Sequence, residues 1–308
     1  MSKPSIGIVG TGWVGASVAI SVLHRGVAGE LLLADRRGEL AEGEAMDLAH
    51  GSSFYPAASV RAASLEQMRD SDALVIAAGR GGKPHESRLD LLRDNAAIAR
   101  GIGEALRGYR GLVLVVTNPV DVLTKVVRDA CGLPPERVIG SGTMLDTARL
   151  RHLAGRELGL DPRSVHAQVV GEHGDSEVVL WSSAQAGGRP LRSWPAWRAS
   201  TEARLGEAVR RAAYEIIRRK GATNHAIGLV TASLLRWMLG GERRIVTVSR
   251  VQHGALGLSD VALSLPTVVG QRGAEDVVVP ALDPAEQQAL QRSAQVIRRA
   301  LADLEVPQ

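Results

Sequence analysis

The stretch SIGIVGTGWVG, residues 5–15, joins a short apolar run to a glycine-rich turn and the start of a helix-compatible pattern. The apolar run indicates a buried strand, and the spacing of Gly10, Gly12 and Gly15 is typical of a dinucleotide-binding loop. The first glycine permits a tight turn, the second lets backbone N–H groups approach a pyrophosphate, and the third allows close packing of helix on strand. The helix N-terminus then offers unpaired N–H groups and its dipole to the phosphate charge.

Asp35 lies at the position where an acidic residue usually follows a dinucleotide-binding loop. Asp35 follows the apolar run ELLLA at 30–34, twenty residues after Gly15. There it would accept hydrogen bonds from a ribose diol and repel a 2′-phosphate, which favours NAD over NADP. Arg36 and Arg37 follow directly and weaken that preference. The alternative is that the glycines belong to an ordinary turn and Asp35 to the surface.

The first half of the chain predicts a doubly wound fold. Two more apolar runs, 72–78 and 111–116, are separated by an amphipathic stretch at 88–107. Continuously apolar strands that alternate with helices indicate a parallel sheet covered on both faces. We therefore expect a Rossmann-type α/β domain over residues 1–140.

The pattern changes from residue 141 onward. Helix-like stretches and apolar strands are mixed there: helices are expected at 144–159, 200–220 and 284–304, and strands at 165–170 and within 244–269. Asp283 followed by Pro284 is a typical helix start. This mixture predicts a second, α+β catalytic domain over residues 141–308.

The composition of the 308 residues excludes several classes of protein. Hydrophobic residues make up 45% and charged residues 23%, as in ordinary globular proteins. The net charge of +4 comes from scattered arginines without a basic cluster, so nucleic-acid binding is not expected. No apolar run approaches the roughly 18 residues of a membrane span, and the N-terminus lacks signal-peptide features. Cys131 is the one cysteine, which excludes an intrachain disulfide and a metal site made only of cysteines. The chain is predicted to be cytoplasmic and to bind no metal.

Candidate chemical groups occur around one histidine. His173 lies between two glycines in VVGEHGDSEV, residues 169–178, and Asp146 and Arg149 lie three residues apart on one face of a predicted helix. A neighbouring Asp fixes the tautomer of a His and stabilises its protonated form, and an Arg holds a carboxylate with two parallel hydrogen bonds. A lone His is more often a surface or core residue, and spacing alone does not bring these three together.

Eight motifs in one order make the chain resemble the L-lactate and malate dehydrogenase family, most closely its bacterial L-lactate dehydrogenases. The motifs are GTGWVG (10–15), MDLAHG (46–51), ESRLDLL (86–92), TNPVDV (117–122), GSGTMLDTARLR (140–151), GEHGDSE (171–177), WSSAQ (181–185) and KGATNHAIG (220–228). The resemblance covers essentially the whole chain. It implies an NAD-dependent enzyme that interconverts (S)-lactate and pyruvate by hydride transfer.

The resemblance implies roles for the chemical groups. His173 would be the general acid and base, Asp146 would orient it, and Arg149 would clamp the substrate carboxylate. Asn118 would hydrogen-bond the substrate oxygen. In the family, the segment before the helix at 88–107 closes over bound substrate, so that Arg88 would polarise the substrate carbonyl.

The resemblance also implies the residues that contact the cofactor. Ser141 would approach the carboxamide end of NAD, and Gly79 ends the strand that reaches the cofactor. The remaining cofactor residues would be Gly10, Gly12, Val14, Gly15, Asp35 and Asn118.

Gly82, six residues before Arg88, departs from the family at its main substrate discriminator. Lactate dehydrogenases typically carry glutamine there, and malate dehydrogenases carry arginine. Glycine brings no charge to pair with a second carboxylate, so malate is disfavoured unless Arg80 or Lys83 reaches the site. The space left by Gly82 should still allow activity on pyruvate. It also favours an alternative function, an L-2-hydroxy acid dehydrogenase that acts on larger substrates. Thr223, on the opposite pocket wall in the family, is retained.

Two further expectations concern assembly and control. In allosteric bacterial relatives, an Arg and a His that correspond to Arg151 and His166 bind fructose-1,6-bisphosphate between subunits, and the resemblance implies a homotetramer. From a different class, the chain could be a catalytically silent NAD-binding module. The presence of His173, Asp146, Arg149 and Arg88 argues against silence, because a binding module would not need these four residues together.

Overall fold

The computed structural model describes residues 3–82 and 87–305. In the first half, the elements in chain order are β1 (Ser5–Val9), α1 (Trp13–His24), β2 (Glu30–Ala34), α2 (Gly38–His50), β3 (Ser59–Ala62), β4 (Ala73–Ile76), α3 (Arg88–Ala105), β5 (Leu112–Val115), α4 (Val120–Cys131) and β6 (Val138–Gly140). In the second half, they are α5 (Met144–Leu158), β7 (Val165–His166), β8 (Val169–Val170), β9 (Val178–Val179), β10 (Gln185–Ala186), β11 (Arg189–Pro190), α6 (Ala199–Lys220), α7 (His225–Leu239), β12 (Arg244–His253), β13 (Ser259–Gly270), β14 (Gly273–Val277) and α8 (Pro284–Glu305).

The main sheet confirms the Rossmann-type fold. Its described strands have the order β14-β13-β12-β6-β5-β4-β1-β2-β3, and β1 to β6 pair in parallel. The order from β3 to β6 reverses beside β1, which is the switch point where such folds bind dinucleotides. The carboxyl ends of β1, β4 and β5 therefore meet at one edge of the sheet.

The parallel strands are buried on both faces because alternate side chains point to opposite sides. Along β4, Leu74 and Ile76 belong to a core with α3 and α4, whereas Ala73 and Val75 belong to a core with α1 and α7. The four side chains are almost fully buried. This explains why the predicted strands are continuously apolar rather than alternating.

The second half extends the same sheet. β12 pairs antiparallel with β6 through Ser249 and Gly140, and β13 and β14 follow antiparallel. The division at residues 140 and 141 stays a proposal; it falls at the end of β6, and the sheet runs continuously across it. At the start of α8, Asp283 accepts a hydrogen bond from the backbone N of Glu286 and Glu286 accepts one from the backbone N of Asp283, a reciprocal cap.

The structure contains elements that the sequence analysis did not predict, namely the helices α2, α4 and α7 and the strands β3, β6, β9, β10, β11 and β14. The predicted strand at 165–170 divides into β7 and β8, which pair in different small sheets. Of the helices that the structure describes, none combines the length and the apolar composition needed to cross a membrane.

Candidate active site

The glycine loop after β1 has the geometry that the sequence predicts. Gly10 has φ +95°, and a Cβ there would lie 2.5 Å from the backbone N of Ala78. A Cβ on Gly15 would lie 1.8 Å from the carbonyl O of Gly10, so the start of α1 packs against the turn. A Cβ on Gly12 would meet nothing within 4 Å, so the space in front of this glycine is open to a ligand.

Asp35 lies directly beside this loop. Its Oδ2 accepts a hydrogen bond of 3.0 Å from the backbone N of Thr11, and its Oδ1 accepts one of 3.0 Å from the backbone N of Arg37. Two backbone bonds hold the carboxylate at the carboxyl end of β2. The open space at Gly12 and the fixed Asp35 fit the pyrophosphate and the ribose of a dinucleotide.

The ends of β4 and β5 meet at Gly79 and Asn118. A Cβ on Gly79 would lie 2.5 Å from Cγ2 of Thr117, so no larger residue fits without movement. Asn95 of α3 accepts from the backbone N of Arg80 at 2.8 Å and donates to the carbonyl O of Asn118 at 3.4 Å. This buried amide connects the two strand ends and positions Asn118, whose bond to Pro119 is cis.

His173, Asp146 and Arg149 lie together. Nδ1 of His173 is 2.5 Å from Oδ2 of Asp146, and Nη1 of Arg149 donates to Oδ1 of Asp146 at 2.8 Å. Asp146 and Arg149 face the histidine because both project from the first turns of α5. Asp146 is 2% exposed and the His173 side chain is 20% exposed, so the histidine lies between a buried anion and open space.

This geometry shifts the pKa values of the pair in opposite directions. Burial alone would lower the pKa of His173, but the charge and hydrogen bond of Asp146 outweigh it and raise the pKa to about 9. Burial alone would raise the pKa of Asp146, but His173 and Arg149 hold it below its ordinary value. The histidine is therefore poised to carry a proton at neutral pH.

The loop that carries His173 is fixed from several sides. The backbone N of His173 donates to Oδ2 of Asp121 on α4 at 2.7 Å, and the backbone N of Glu172 donates to Oγ of Ser293 on α8 at 2.8 Å. Burial raises the pKa of Asp121 to about 6, although the His173 N–H opposes this. Ionised Asp121 therefore anchors the loop at neutral pH.

A cavity of about 520 Å³ collects the chemical groups. Its lining includes Asn118, Asp146, Arg149 and His173, together with Leu91, Leu92, Pro119, Gly174, Asp175, Glu177, Arg210, Ala213 and Tyr214. The predicted substrate residues Gly82 and Thr223 are not among the described residues that line this cavity. Ser141 is buried, and its backbone N donates a hydrogen bond to the carbonyl O of Val115 on β5.

The structure describes the predicted substrate-closing segment only in part. Residues 83–86, which include Lys83, lie outside the described residues, and so does the side chain of Arg88. The backbone of Arg88 begins α3, where Oγ of Ser87 accepts from the backbone N of Asp90. The predicted role of Arg88 stays a prediction.

Sequence reasoning missed several groups in the cavity wall and behind it. Glu177 in the wall and Asp121, which holds the His173 loop, belong to the motifs GEHGDSE and TNPVDV, but the sequence gives no sign that either carboxylate is buried. Arg210 and Tyr214 lie on α6, and their helical spacing toward the cavity gave no separate signal. The hydroxyl of Tyr214 donates to the carboxylate of Asp175 at 3.0 Å.

The two predicted effector residues lie close in the fold. Nε of Arg151 donates to the carbonyl O of Ala167 at 3.0 Å, and His166 is the exposed residue before Ala167. Burial lowers the pKa of Arg151.

Val14, one of the predicted cofactor residues, is half-buried at the start of α1.

Comparison with known proteins agrees with the fold. The family model for the lactate/malate dehydrogenase NAD binding domain matches residues 5–140, and that for the alpha/beta C-terminal domain matches residues 143–305. The chain belongs to the lactate/malate dehydrogenase family, which confirms the resemblance seen in the sequence.

Individual relatives match over nearly their whole length. The L-lactate dehydrogenase of Salinibacter ruber is 43% identical over 313 residues, 99% of each chain. That of Thermus aquaticus is 44% identical over 306 residues, which cover 97% of this chain and 99% of the relative. The crystal structure of a minor L-lactate dehydrogenase from Enterococcus mundtii superposes with a TM-score of 0.96 at 36% identity, covering all of both chains.

Proposed function

We propose that this protein is an NAD-dependent L-lactate dehydrogenase that interconverts pyruvate and (S)-lactate. One observation carries the proposal: His173, paired with buried Asp146, lines the same cavity as Arg149 and Asn118. An acid and base, its orienting carboxylate and a cation for the substrate carboxylate are the groups that this reaction needs from the protein.

The geometry suggests what each residue does. Asp146 occupies Nδ1 of His173, so Nε2 is the nitrogen that exchanges a proton with the substrate oxygen. Arg149 uses Nη1 for Asp146, which leaves its other terminal nitrogen for the substrate carboxylate. Asn118, fixed by Asn95, offers its amide to the substrate oxygen. When bound, NADH supplies the hydride.

NAD is the proposed cofactor, in preference to NADP. Asp35 is held by two backbone N–H groups at the place where a ribose diol would bind, and its negative charge would repel a 2′-phosphate. Arg37 is largely exposed and only 3.9 Å from Asp35, so this cation reduces the repulsion without removing it. The cytoplasm is the proposed location.

Oxaloacetate is a poor candidate substrate. Arg80, the nearest described cation to Gly82 in sequence, makes two contacts of 2.8 Å with Oδ2 of Asp94. That ion pair engages its guanidinium with another carboxylate. Arg80 is therefore not available to pair with a second substrate carboxylate, and desolvating that carboxylate without a partner would be costly.

A second candidate function is the oxidation and reduction of larger 2-hydroxy and 2-oxo acids. A Cβ on Gly82 would lie 3.5 Å from Cδ2 of Leu91, a cavity-lining residue, which is ordinary van der Waals contact. The glycine therefore leaves room for a side chain, and a larger substrate would use the same room.

We propose a homotetramer, which the family resemblance implies. Exposed apolar side chains support an interface between copies of the chain: Trp13 and Ile20 of α1 line one surface cavity with Phe54, which is 87% exposed, and Met46 of α2 is exposed as well. Exposed apolar patches are typical of interaction surfaces. Fructose-1,6-bisphosphate is the proposed effector because Arg151 and His166 lie at neighbouring positions of the fold and would attract an anion.

The test of the proposed function is the product of a reaction with pyruvate and NADH. We expect stoichiometric oxidation of NADH and formation of (S)-lactate, identified by chiral chromatography. Binding of NADH without turnover of any 2-oxo acid would instead favour the catalytically silent NAD-binding module.

A further inference from the structure

Glu177 is a buried acid that the proposed mechanism does not use. It lies between the His173 loop and β9, is 6% exposed, and lines the substrate cavity. Its Oε1 is fully buried and hydrogen-bonds to none of the described residues. A buried carboxyl oxygen without a partner is rare in folded proteins and calls for an explanation.

The cations near Glu177 are already engaged with other carboxylates. Arg149 donates to Asp146, and Nη1 of Arg210 donates to Glu207 at 2.7 Å. Nε of Arg210 is itself buried without a described partner, and it does not form an ion pair with Glu177. The titratable or charged groups that line the cavity with Glu177 are Asp146, Arg149, His173, Asp175, Arg210 and Tyr214.

The surroundings of Glu177 disfavour its charged form. Burial and the negative charge of Asp146 raise the pKa of Glu177 to about 8, and the nearby cations only partly oppose this. At neutral pH the side chain is therefore a neutral carboxylic acid. Above about pH 8 it ionises and adds a negative charge to the cavity wall.

We propose that Glu177 carries a proton in the working enzyme, and that this proton is what allows the cavity to accept an anionic 2-oxo acid. The inference rests on the proposed function. The cavity wall carries three cations, Arg149, Arg210 and His173, which is protonated below about pH 9, and the two carboxylates Asp146 and Asp175. With Glu177 protonated, one positive charge is left to attract an anionic substrate; with Glu177 ionised, the charges balance and that attraction is lost.

The sign of the pH dependence follows from linkage. The form that binds substrate is the protonated one, so substrate affinity is highest below about pH 8 and decreases as Glu177 ionises. Bound substrate raises the pKa of Glu177 further, so binding takes up a proton above that pH. Loss of the binding form raises KM about tenfold per pH unit.

The experiment compares the wild-type enzyme with Glu177→Gln, which has the same shape and stays neutral. The first measurement is KM for pyruvate across the pH range. The second is the proton uptake, followed with a pH indicator, when oxamate binds the enzyme–NADH complex. Oxamate is an analogue of pyruvate with the same carboxylate and an uncharged amide. In wild type we expect KM to rise from about pH 8. In Glu177→Gln the rise should begin only near the His173 pKa of about 9, and uptake should fall by up to about one proton per chain.

Glu215→Gln is the matched control. Glu215 is an exposed carboxylate on α6 that bonds Arg218 and Arg219, and these bonds lower its pKa. Removing it should change neither the KM profile nor the uptake. The inference is overturned if Glu177→Gln and wild type share one KM profile and one uptake. A tenfold loss of affinity at pH 6.5 in Glu177→Gln would also overturn it, because a neutral amide should suffice there.

A second measurement keeps the inference testable if Glu177→Gln does not fold. Infrared spectra of the wild type should contain a protonated-carboxyl band at pH 7 that disappears through about pH 8, distinct from Asp121, which titrates near pH 6. Absence of a band with this titration overturns the inference. A wild type that binds NADH but reduces no 2-oxo acid would refute the proposed function instead, and the infrared titration would still report whether Glu177 holds a proton.

Discussion

Nδ1 of His173 lies 2.5 Å from Oδ2 of Asp146, although the two residues are 27 positions apart in the chain. The contact joins the loop after β8 to the first turn of α5. It fixes which histidine nitrogen faces the cavity and stabilises the protonated ring. The acid and base chemistry of the proposed reaction depends on this pair.

Replacing Asp146 with Asn should weaken pyruvate reduction. Asp146 raises the pKa of His173 to about 9, so the protonated form that reduction needs persists to about that pH and is lost above it. Without the charge, burial would lower the pKa, and the alkaline limit of kcat/KM should move to lower pH. At pH 7.5 we expect a loss of roughly 100-fold or more. The variant Asp161→Asn, at the surface, is the control; an unchanged alkaline limit in Asp146→Asn would refute the assignment.

Replacing Gly82 with Gln should sharpen the preference for pyruvate over 2-oxoisocaproate. The new side chain would begin in contact with Leu91 and fill the space that larger substrates would use. The ratio of the two kcat/KM values should rise about tenfold or more, as expected for a methylene-sized change in a pocket. Gly81→Gln is the matched control, because a Cβ at Gly81 would meet nothing within 4 Å. An unchanged ratio would mean that another residue controls substrate size.

Replacing Asp35 with Ser should shift cofactor preference toward NADPH. The change removes the carboxylate that repels a 2′-phosphate and leaves Arg36 and Arg37 beside it. We expect the ratio of kcat/KM for NADPH to that for NADH to rise about tenfold or more. Glu39→Ser, at the start of α2, is the control for charge alone. If both variants keep the wild-type ratio, Asp35 does not select the cofactor.

Fructose-1,6-bisphosphate should lower the apparent KM for pyruvate, and Arg151→Gln should reduce this response. Arg151 is held by the carbonyl of Ala167, next to exposed His166, so removing its charge leaves the proposed anion site with one cation fewer. Arg163→Gln removes an exposed arginine outside that site and serves as the control. Superimposable wild-type curves with and without the bisphosphate would exclude activation.

The sequence was sufficient wherever local pattern determines structure. β1, β2, β4 and β5 are buried on both faces, so each appears as an apolar run, and the glycines after β1 have fixed spacing. β3 was missed because SVRA is half-exposed at the sheet edge and lacks that pattern. The stretch 165–170 was misjudged as one strand because its two ends pair with different partners.

The residues of the site could likewise be predicted only in part from the sequence. His173, Asp146, Arg149 and Asn118 could be named from motifs, yet their meeting depends on contacts across many residues. Asp121 anchors His173 from 52 positions away, and Arg210 belongs to a different helix. Neither the pairing of Arg80 with Asp94 nor the lack of a partner for Oε1 of Glu177 among the described residues has a signature in the sequence, because both depend on which side chains the fold places nearby.

The most direct test of the central claim is NADH consumption with pyruvate by the wild type and by His173→Asn. We expect the wild type to consume NADH and produce (S)-lactate, and the variant to bind NADH with similar affinity but to lose activity by roughly 100-fold or more. Two results would contradict the account: a wild type that binds NADH and reduces no 2-oxo acid, or a His173→Asn variant as active as the wild type.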